Sequence, residues 1–261
     1  MHQTSKAKRT LLCILAALFL LCALPFAGFA QSEDARLKFD DNGDFTILHL
    51  TDWHCGYPLP ALHKQLVLES LAEAKPDLVV LGGDLSEAAN EDQPAAIKEI
   101  CEIFVQAEIP FVITFGNHDC NCGISNAAQM PIYRTHKGFR GGNIKAEDDP
   151  GTFSLTIRDS SGKNNLFALY VIDSGGKGET AAYAPVTPDR IQWLRTEREK
   201  LQRKDGQYLP ALVFQHIPLP EYYDALVRVD KGTKGAVEAF YSHSGEYYVL
   251  PQEALARGDF M

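Results

Sequence analysis

The chain has 261 residues, of which 45% are hydrophobic, 23% charged and 10% aromatic. This composition is ordinary for a globular protein and excludes wholesale disorder. The formal net charge of −9 disfavours binding to nucleic acid or to an anionic membrane, so we expect small or soluble binding partners.

The N-terminus has the pattern of a secretory signal. It begins with Lys6, Lys8 and Arg9 and then runs apolar to Ala30, with small residues at its end. We expect cleavage before Gln31 and an extracytoplasmic protein, either secreted or periplasmic. The apolar stretch is nearly long enough to span a bilayer, so an uncleaved membrane anchor is the alternative.

The remaining chain is long enough for one sizeable domain. We divide the sequence into a signal peptide at 1–30, a polar leader at 31–44 and one domain at 45–261. Removing the signal peptide leaves 231 residues and takes away three positive and no negative charges, so the net charge falls from −9 to −12. One hydrophobic core is expected at this length.

The first half of the domain predicts three parallel strands joined by two helices. "FTILHLTD" at 45–52, "DLVVLGGD" at 77–84 and "IPFVITFGNHD" at 109–119 are apolar runs that end in polar residues. Apolar positions at helical spacing lie between them, at 60–75 and 94–107. Helical crossovers of this length connect parallel strands, so the fold class is α/β.

The second half predicts a different arrangement. Residues 120–150 are rich in Gly, Asn and Asp and indicate a long functional loop with one helix. Several further elements follow: an antiparallel hairpin at 151–159 and 164–173, a helix at 188–204, a buried strand at 209–218, a loop at 219–248 and a short helix at 250–259. The pattern indicates a mixed sheet, or a pair of sheets, covered by helices.

Four of the predicted strands end in a polar cluster. The clusters are Asp52 with His54, Gly83 with Asp84, the run from Gly116 to Asp119, and His216. Ligands of open α/β sheets bind at the carboxyl ends of the strands, so we expect these clusters to meet in one crevice. Carboxylate, imidazole and amide groups together suit borderline divalent metals, and a carboxylate can bridge two ions.

The order D-x-H, G-D, G-N-H-D and a late histidine resembles the calcineurin-like metallophosphoesterases. "QHIPLPEY" at 215–222 and "ALARGDF" at 254–260 are similar to the purple-acid-phosphatase-like branch of that family. The resemblance implies a four-layer αββα sandwich of mixed sheets and the hydrolysis of phosphomonoesters or phosphodiesters. It also implies a site for two divalent ions, for which Mn, Fe or Zn are the candidates. The acidic charge favours a small or soluble phosphoester substrate, and we expect no stable membrane association after signal cleavage.

The resemblance also assigns roles to individual residues. Asp52 and His54 would bind one ion, Asn117 and His216 would bind the other, and Asp84 would bridge the two. His118, oriented by Asp119, would protonate the leaving alkoxide or stabilise the charged phosphoryl oxygens. A histidine held by a carboxylate is an effective acid near neutral pH.

Two departures from the family pattern carry information, and the second weakens the expectation of activity. Glu87 stands where purple acid phosphatases have a tyrosine, so no iron–tyrosinate site is expected and Glu87 is given no part in binding metal. The chain ends at Met261 without the closing G-H-x-H, so we expect a C-terminally truncated fragment that lacks the final strand and that motif. His243 is the first candidate to replace a missing ligand.

Two alternative functions remain at this point. A degenerate metal- or phosphate-binding protein would keep the fold without turnover, and the missing G-H-x-H favours that hypothesis. An adhesive or structural exported domain explains none of the polar clusters. The loops at 120–150 and 219–248 are expected to shape the substrate pocket, in which Arg134, Arg140 and Lys145 either meet phosphate or are simply solvated.

The remaining histidines and cysteines have structural interpretations. We assign His49 to the core, His63 to a helix face and His136 to a loop. The four cysteines beyond the signal peptide, Cys55, Cys101, Cys120 and Cys122, could pair in three ways in an oxidising compartment, and the sequence does not choose among them.

Overall fold

A computed structural model describes residues 37–89, 91–176, 183–184, 186–203, 205–219, 226–238 and 245–249. The predicted signal peptide at 1–30, the predicted helix at 250–259 and His243 lie outside these residues. No helix in the described ranges is both long enough and apolar enough to cross a bilayer.

The described chain contains four helices and ten strands. The helices are α1 (Ala61–Ala74), α2 (Gln93–Gln106), α3 (Asn126–Arg134) and α4 (Pro188–Lys200). The strands are β1 (Ile47–Leu50), β2 (Leu78–Leu81), β3 (Phe111–Ile113), β4 (Asn143–Ala146), β5 (Asp149–Arg158), β6 (Asn165–Ile172), β7 (Ala211–Gln215), β8 (Val227–Val229), β9 (Val237–Glu238) and β10 (Tyr247–Val249).

The first sheet has the order β1-β2-β3, and all its strands are parallel. Ile47 is paired with Leu78, and Val79 is paired with Phe111. The crossovers are α1 and α2, so the predicted β-α-β-α-β unit is confirmed. Every side chain of β2 and β3 is buried, as expected for parallel strands covered on both faces.

The second sheet has the order β4-β5-β6-β7 and is mixed. β5 and β6 form the predicted antiparallel hairpin, whereas β6 and β7 are parallel. β4 pairs with β5 across a register shift between Ile144 and Ala146. This strand was not predicted, because four residues with a bulge carry no clear alternation of apolar side chains.

Three apolar clusters stack the elements into four layers. The first lies between the helices and the first sheet, and it joins Val67 of α1 and Ile100 of α2 to Leu81. The second lies between the two sheets, where Val80 meets Val171. The third packs Trp193, Leu194 and Leu201, in and just after α4, against Ala168 and Tyr170 of β6. The expected αββα sandwich is therefore confirmed.

Three local expectations are corrected by the structure. β7 is not a buried strand, because Leu212 and Val213 are each 47% exposed at the edge of the described sheet. His49 is exposed rather than in the core, since β1 is the outer strand of its own described sheet. The expected loop at 219–248 contains a small antiparallel sheet of order β8-β10-β9.

Candidate functional site

The chain segments after β1 and β2 run side by side beyond the regular sheet. The N–H of Asp52 donates to the Gly83 carbonyl at 3.0 Å, and the N–H of His54 donates to the Asp84 carbonyl at 3.0 Å. Asp52, His54 and Asp84 have φ angles of 57°, 44° and 52°. Left-handed backbone at non-glycine residues is costly and often marks functional sites. In this structure the three residues with left-handed backbone are also the ones whose side chains lie together in one cluster.

Two glycines allow the G-D and G-N-H-D loops to touch. A Cβ atom on Gly83 would lie 2.3 Å from the backbone nitrogen of Gly116, and a Cβ on Gly116 would lie 2.1 Å from Asp84 Oδ1. The N–H of His118 donates to the same Asp84 Oδ1 at 2.7 Å. Asn117 lies between Gly116 and His118 and is buried. The loop that carries Asn117 and His118 therefore rests directly on Asp84.

Asp119 links these two loops through hydrogen bonds with their backbone. Its Oδ2 accepts the N–H groups of Gly116 at 2.6 Å and of Asp84 at 2.9 Å, and its Oδ1 accepts the N–H of Leu85 at 3.3 Å. Burial raises the pKa of Asp119 despite these hydrogen bonds. The described hydrogen bonds of the Asp119 carboxylate are to backbone N–H groups and none is to the His118 imidazole, so its expected orienting role stays a prediction.

Asp84 lies between two histidines. Its Oδ2 is 3.1 Å from His216 Nε2 and 3.7 Å from His54 Nε2, and the latter nitrogen is also 3.7 Å from Asp52 Oδ1. His216 Nδ1 lies 2.8 Å from the Gly82 carbonyl, an acceptor that fixes the proton on Nδ1 and presents Nε2 to Asp84. Burial acts to lower the pKa of His216, but the Asp84 carboxylate outweighs it and raises the pKa.

Glu87 lies in the site, although no motif in the sequence indicated a role for it there. Its Oε1 lies 3.0 Å from His54 Nδ1 and 2.8 Å from His118 Nδ1. Asn121 Nδ2 is a further neighbour of His118 Nδ1, at 2.9 Å. The Asn121 NH2 group can only donate and the Glu87 carboxylate can only accept, so we assign the Nδ1 proton of His118 to the contact with Glu87. Glu87, rather than Asp119, is the carboxylate that faces His118.

The donor groups fit divalent metal ions. Asp52, Asp84 and His216 form one group whose ligand atoms all lie within 4.8 Å of one another, and His54, Glu87 and His118 form a second. Two ligands that each lie 2.0–2.2 Å from one ion are roughly 3–4 Å apart, as the contacts around Asp84 Oδ2 are. Carboxylate oxygen and imidazole nitrogen suit Zn²⁺, Mn²⁺ and iron.

The three loop cations proposed to meet phosphate have other environments. Lys145 Nζ lies 2.6 Å from Asp189 Oδ2, and Arg134 is 3.6 Å from Glu147 Oε2. The backbone N–H of Arg140 donates to the Phe111 carbonyl at the amino end of β3. Arg140 therefore lies at the opposite end of that strand from the G-N-H-D loop.

The four described cysteines are free thiols. Cys55 and Cys101 are buried, and burial raises the pKa of Cys55 to about 11. The Sγ of Cys55 donates to the Leu85 carbonyl at 3.0 Å. This contact adds to the pairing of the two loops that carry His54 and Asp84.

Known proteins resemble this chain over most of its length. An uncharacterised protein of Schizosaccharomyces pombe is 30% identical over 74% of the chain, and the match covers 40% of that protein. "Probable inactive purple acid phosphatase 29" of Arabidopsis thaliana is 27% identical over 94% of the chain and 72% of its own length. A crystal structure of a dimetal phosphatase from Danio rerio aligns with a TM-score of 0.47 and 12% identity, covering 70% of this chain and 72% of that one.

The family profile described as calcineurin-like phosphoesterase matches residues 45–256. This range includes every residue of the two donor groups and the G-N-H-D loop. The chain belongs to the calcineurin-like phosphoesterase family.

Proposed function

We propose that the protein is a metal-dependent hydrolase of phosphate esters, acting on phosphomonoesters or phosphodiesters of small or soluble molecules. The observation that carries the proposal is the position of Asp84 Oδ2, between His216 Nε2 at 3.1 Å and His54 Nε2 at 3.7 Å. A carboxylate between two imidazole nitrogens is the arrangement that a bridging ligand of two ions requires.

The family resemblance assigns the remaining donors to two ions on either side of Asp84. Asp52 and His54 would hold one divalent ion, and Asn117 and His216 would hold the other, with Mn, Fe and Zn as the candidate metals. Ions bound there would supply Lewis-acid stabilisation of the negative charge on the phosphoryl oxygens.

His118 is the proposed acid for the leaving group. Its Nδ1 is held by Glu87 Oε1 at 2.8 Å, which leaves Nε2 to donate a proton to the departing alkoxide oxygen. Such a proton transfer contributes about 10²–10⁴-fold to a rate, and most for poor leaving groups. The transfer uses the imidazolium form, in which both ring nitrogens carry a proton, and Glu87 keeps the proton on Nδ1 after Nε2 has given up its own.

Metal analysis combined with an ester panel tests the proposal. The purified chain, stripped of metal and then supplied with Mn²⁺, Zn²⁺ or Fe²⁺, is assayed on p-nitrophenyl phosphate and bis-p-nitrophenyl phosphate. Asp84→Ala should lower metal content and rate together, because the bridging carboxylate serves both ions. Asp41→Ala, an exposed carboxylate in the polar leader, is the matched control and should change neither.

The outcomes separate the alternatives. Bound metal without hydrolysis of either ester would favour the degenerate metal- or phosphate-binding protein. Normal metal content and rate in Asp84→Ala would contradict the bridging role and the two-metal assignment with it.

A further inference from the structure

Three buried side chains form a hydrogen-bonded chain behind the site. Ser86 Oγ donates to Gln93 Oε1 at 3.0 Å, Gln93 Nε2 donates to Gln129 Oε1 at 3.0 Å, and Gln129 Nε2 donates to the Asp119 carbonyl at 2.7 Å. All three residues are at most 1% exposed. We call them the Ser86–Gln93–Gln129 chain. It passes from the G-D loop through α2 and α3 to the G-N-H-D loop.

The direction of this chain is fixed at both ends. Gln129 Nε2 also donates to the Ile124 carbonyl at 2.8 Å, and a carbonyl can only accept, so the amide of Gln129 has a single orientation. Its Oε1 must then accept from Gln93, whose own Oε1 accepts from Ser86. The hydroxyl oxygen of Ser86 in turn accepts the N–H of Ala88 at 3.2 Å. No member can reverse without leaving a buried donor or acceptor unpaired.

The two ends of the chain adjoin the two residues of the Glu87–His118 contact. Ser86 and Ala88 flank Glu87, and Asp119 follows His118 directly. One amide, that of Gln129, closes the turn from Asp119 to Ile124. The backbone on either side of the Glu87–His118 contact is therefore held by one continuous set of hydrogen bonds.

We infer that the Ser86–Gln93–Gln129 chain positions Glu87 against His118, so that Gln93 and Gln129 are positioning residues of the site although neither touches it. Helices α2 and α3 are also held together by apolar packing. Ile97 and Phe104 of α2 share an apolar cluster with Met130 and Tyr133 of α3. The polar links lie where α2 begins, beside the loops, and not along this apolar contact. The expected effect on ester hydrolysis rests on the proposed function. The expected effect on the Glu87–His118 contact does not.

The variant Gln129→Glu tests the inference with almost no change in side-chain volume. It replaces the donor that faces two carbonyl oxygens with an acceptor, so the turn at 119–124 must shift. A displacement near the reacting groups costs up to about 100-fold in rate. We expect kcat to fall by roughly 10- to 100-fold on an alkyl phosphate, with a smaller loss on p-nitrophenyl phosphate and little change in KM.

A measurement on the metal-free chain separates this inference from the proposed function. Nitrogen-15 NMR of labelled histidines reports whether His118 Nδ1 carries a proton bonded to a carboxylate. The signal should shift in Gln129→Glu and in Ser86→Ala, which breaks the other end of the chain. Ile100→Val, a buried change in the α2 core, is the control, and it should lower the melting temperature without moving the signal.

Each outcome has one meaning. An unmoved His118 signal in folded Gln129→Glu and in Ser86→Ala overturns the inference, whether or not the enzyme is active. If Gln129→Glu does not fold, Ser86→Ala and Gln93→Glu decide in the same way. A wild-type chain that hydrolyses no ester would contradict the proposed function, while the NMR comparison would still decide the positioning role.

Discussion

At the scale of single residues, Glu87 has the most consequential position. One oxygen of its carboxylate contacts Nδ1 of His54 at 3.0 Å and Nδ1 of His118 at 2.8 Å. The nitrogen that His54 turns toward Asp84 is Nε2, so Glu87 lies on the far side of the imidazole from the proposed ion. A carboxylate at that position fixes the tautomer of a metal-binding histidine and increases its basicity.

Replacing Glu87 with glutamine should therefore impair both histidines. Loss of such an outer partner typically costs about 10–100-fold in metal affinity or activity, and we expect Glu87→Gln to lower kcat by that factor. The loss should be greater on alkyl than on p-nitrophenyl phosphate, because only the poor leaving group needs the proton from His118. Steady-state kinetics on both esters would measure it. Glu73→Gln, at an exposed position of α1, is the control and should have the wild-type rate. A wild-type rate for Glu87→Gln on both esters would show that Glu87 has no role in the site.

The sequence motifs predicted the meeting of Asp52, His54, Asp84 and His216, because the ends of parallel strands converge. That argument about strand ends did not indicate Glu87. It lies where the chain after β1 and the chain after β2 stay paired, with the Glu87 N–H donating to the Cys55 carbonyl at 2.8 Å. That pairing passes through left-handed backbone at Asp84, which no periodicity of side chains reveals.

At the scale of elements, the contact between the G-D and G-N-H-D loops depends on the absence of a side chain at Gly116. A Cβ there would lie 2.1 Å from Asp84 Oδ1 and 2.8 Å from the Asp84 backbone nitrogen. These are fixed atoms of a buried residue, so one loop would have to move. Movement would break the hydrogen bond from the His118 N–H to Asp84 Oδ1.

Gly116→Ala should consequently lose stability and metal binding together. Overpacking of this kind costs about 1–3 kcal/mol in the free energy of unfolding, which urea titration of the metal-free chain would measure. Gly56→Ala is the matched control, because no atom lies within 4 Å of the Cβ it would add. Retention of full metal content in Gly116→Ala would show that the two loops can separate without harm to the site.

Among the larger elements, those with strong local signals were predictable. The apolar spacing of α1 and α2 and the buried runs of β2 and β3 predicted the parallel unit to within a few residues. The short strands β8, β9 and β10 were missed because two or three residues are too few to show an alternation. The burial of His49 and of β7 was predicted wrongly, since burial depends on which strand lies alongside.

At the scale of the whole molecule, polar contacts tie the layers together near the site. Arg190 of α4 donates from Nε to Asp149 Oδ2 at 2.9 Å and lies 3.7 Å from Asp173, which follows β6. Asn126, the first residue of α3, donates to Asp173 Oδ2 at 3.2 Å. Thr114, just after β3, donates to the Ile172 carbonyl at 3.1 Å. These contacts connect helices on opposite sides of the sandwich through both sheets.

The Arg190–Asp149 pair should make the stability of the sandwich depend on pH. Burial acts to raise the pKa of Asp149, but hydrogen bonds from Arg190 outweigh it and hold the pKa below its usual value. Lys145, 3.3 Å away, adds to this effect. The unfolded chain has a pKa of about 3.9 at this residue. The pair's contribution is therefore complete above that pH and is lost as the pH falls through the folded-state pKa.

Arg190→Met should reverse the sign of that dependence. Asp149 would become a buried carboxylate short of its main partner, with a raised pKa, and the free energy of unfolding should fall by about 3 kcal/mol near pH 7. The deficit should shrink toward about pH 3, where Asp149 is protonated and no unpaired charge remains. Urea unfolding of wild type and variant across this range would measure it, with Arg195→Met at an exposed position of the same helix as control. A deficit that stayed constant from neutral to acid pH would show that Arg190 stabilises α4 by packing alone and not through its charge.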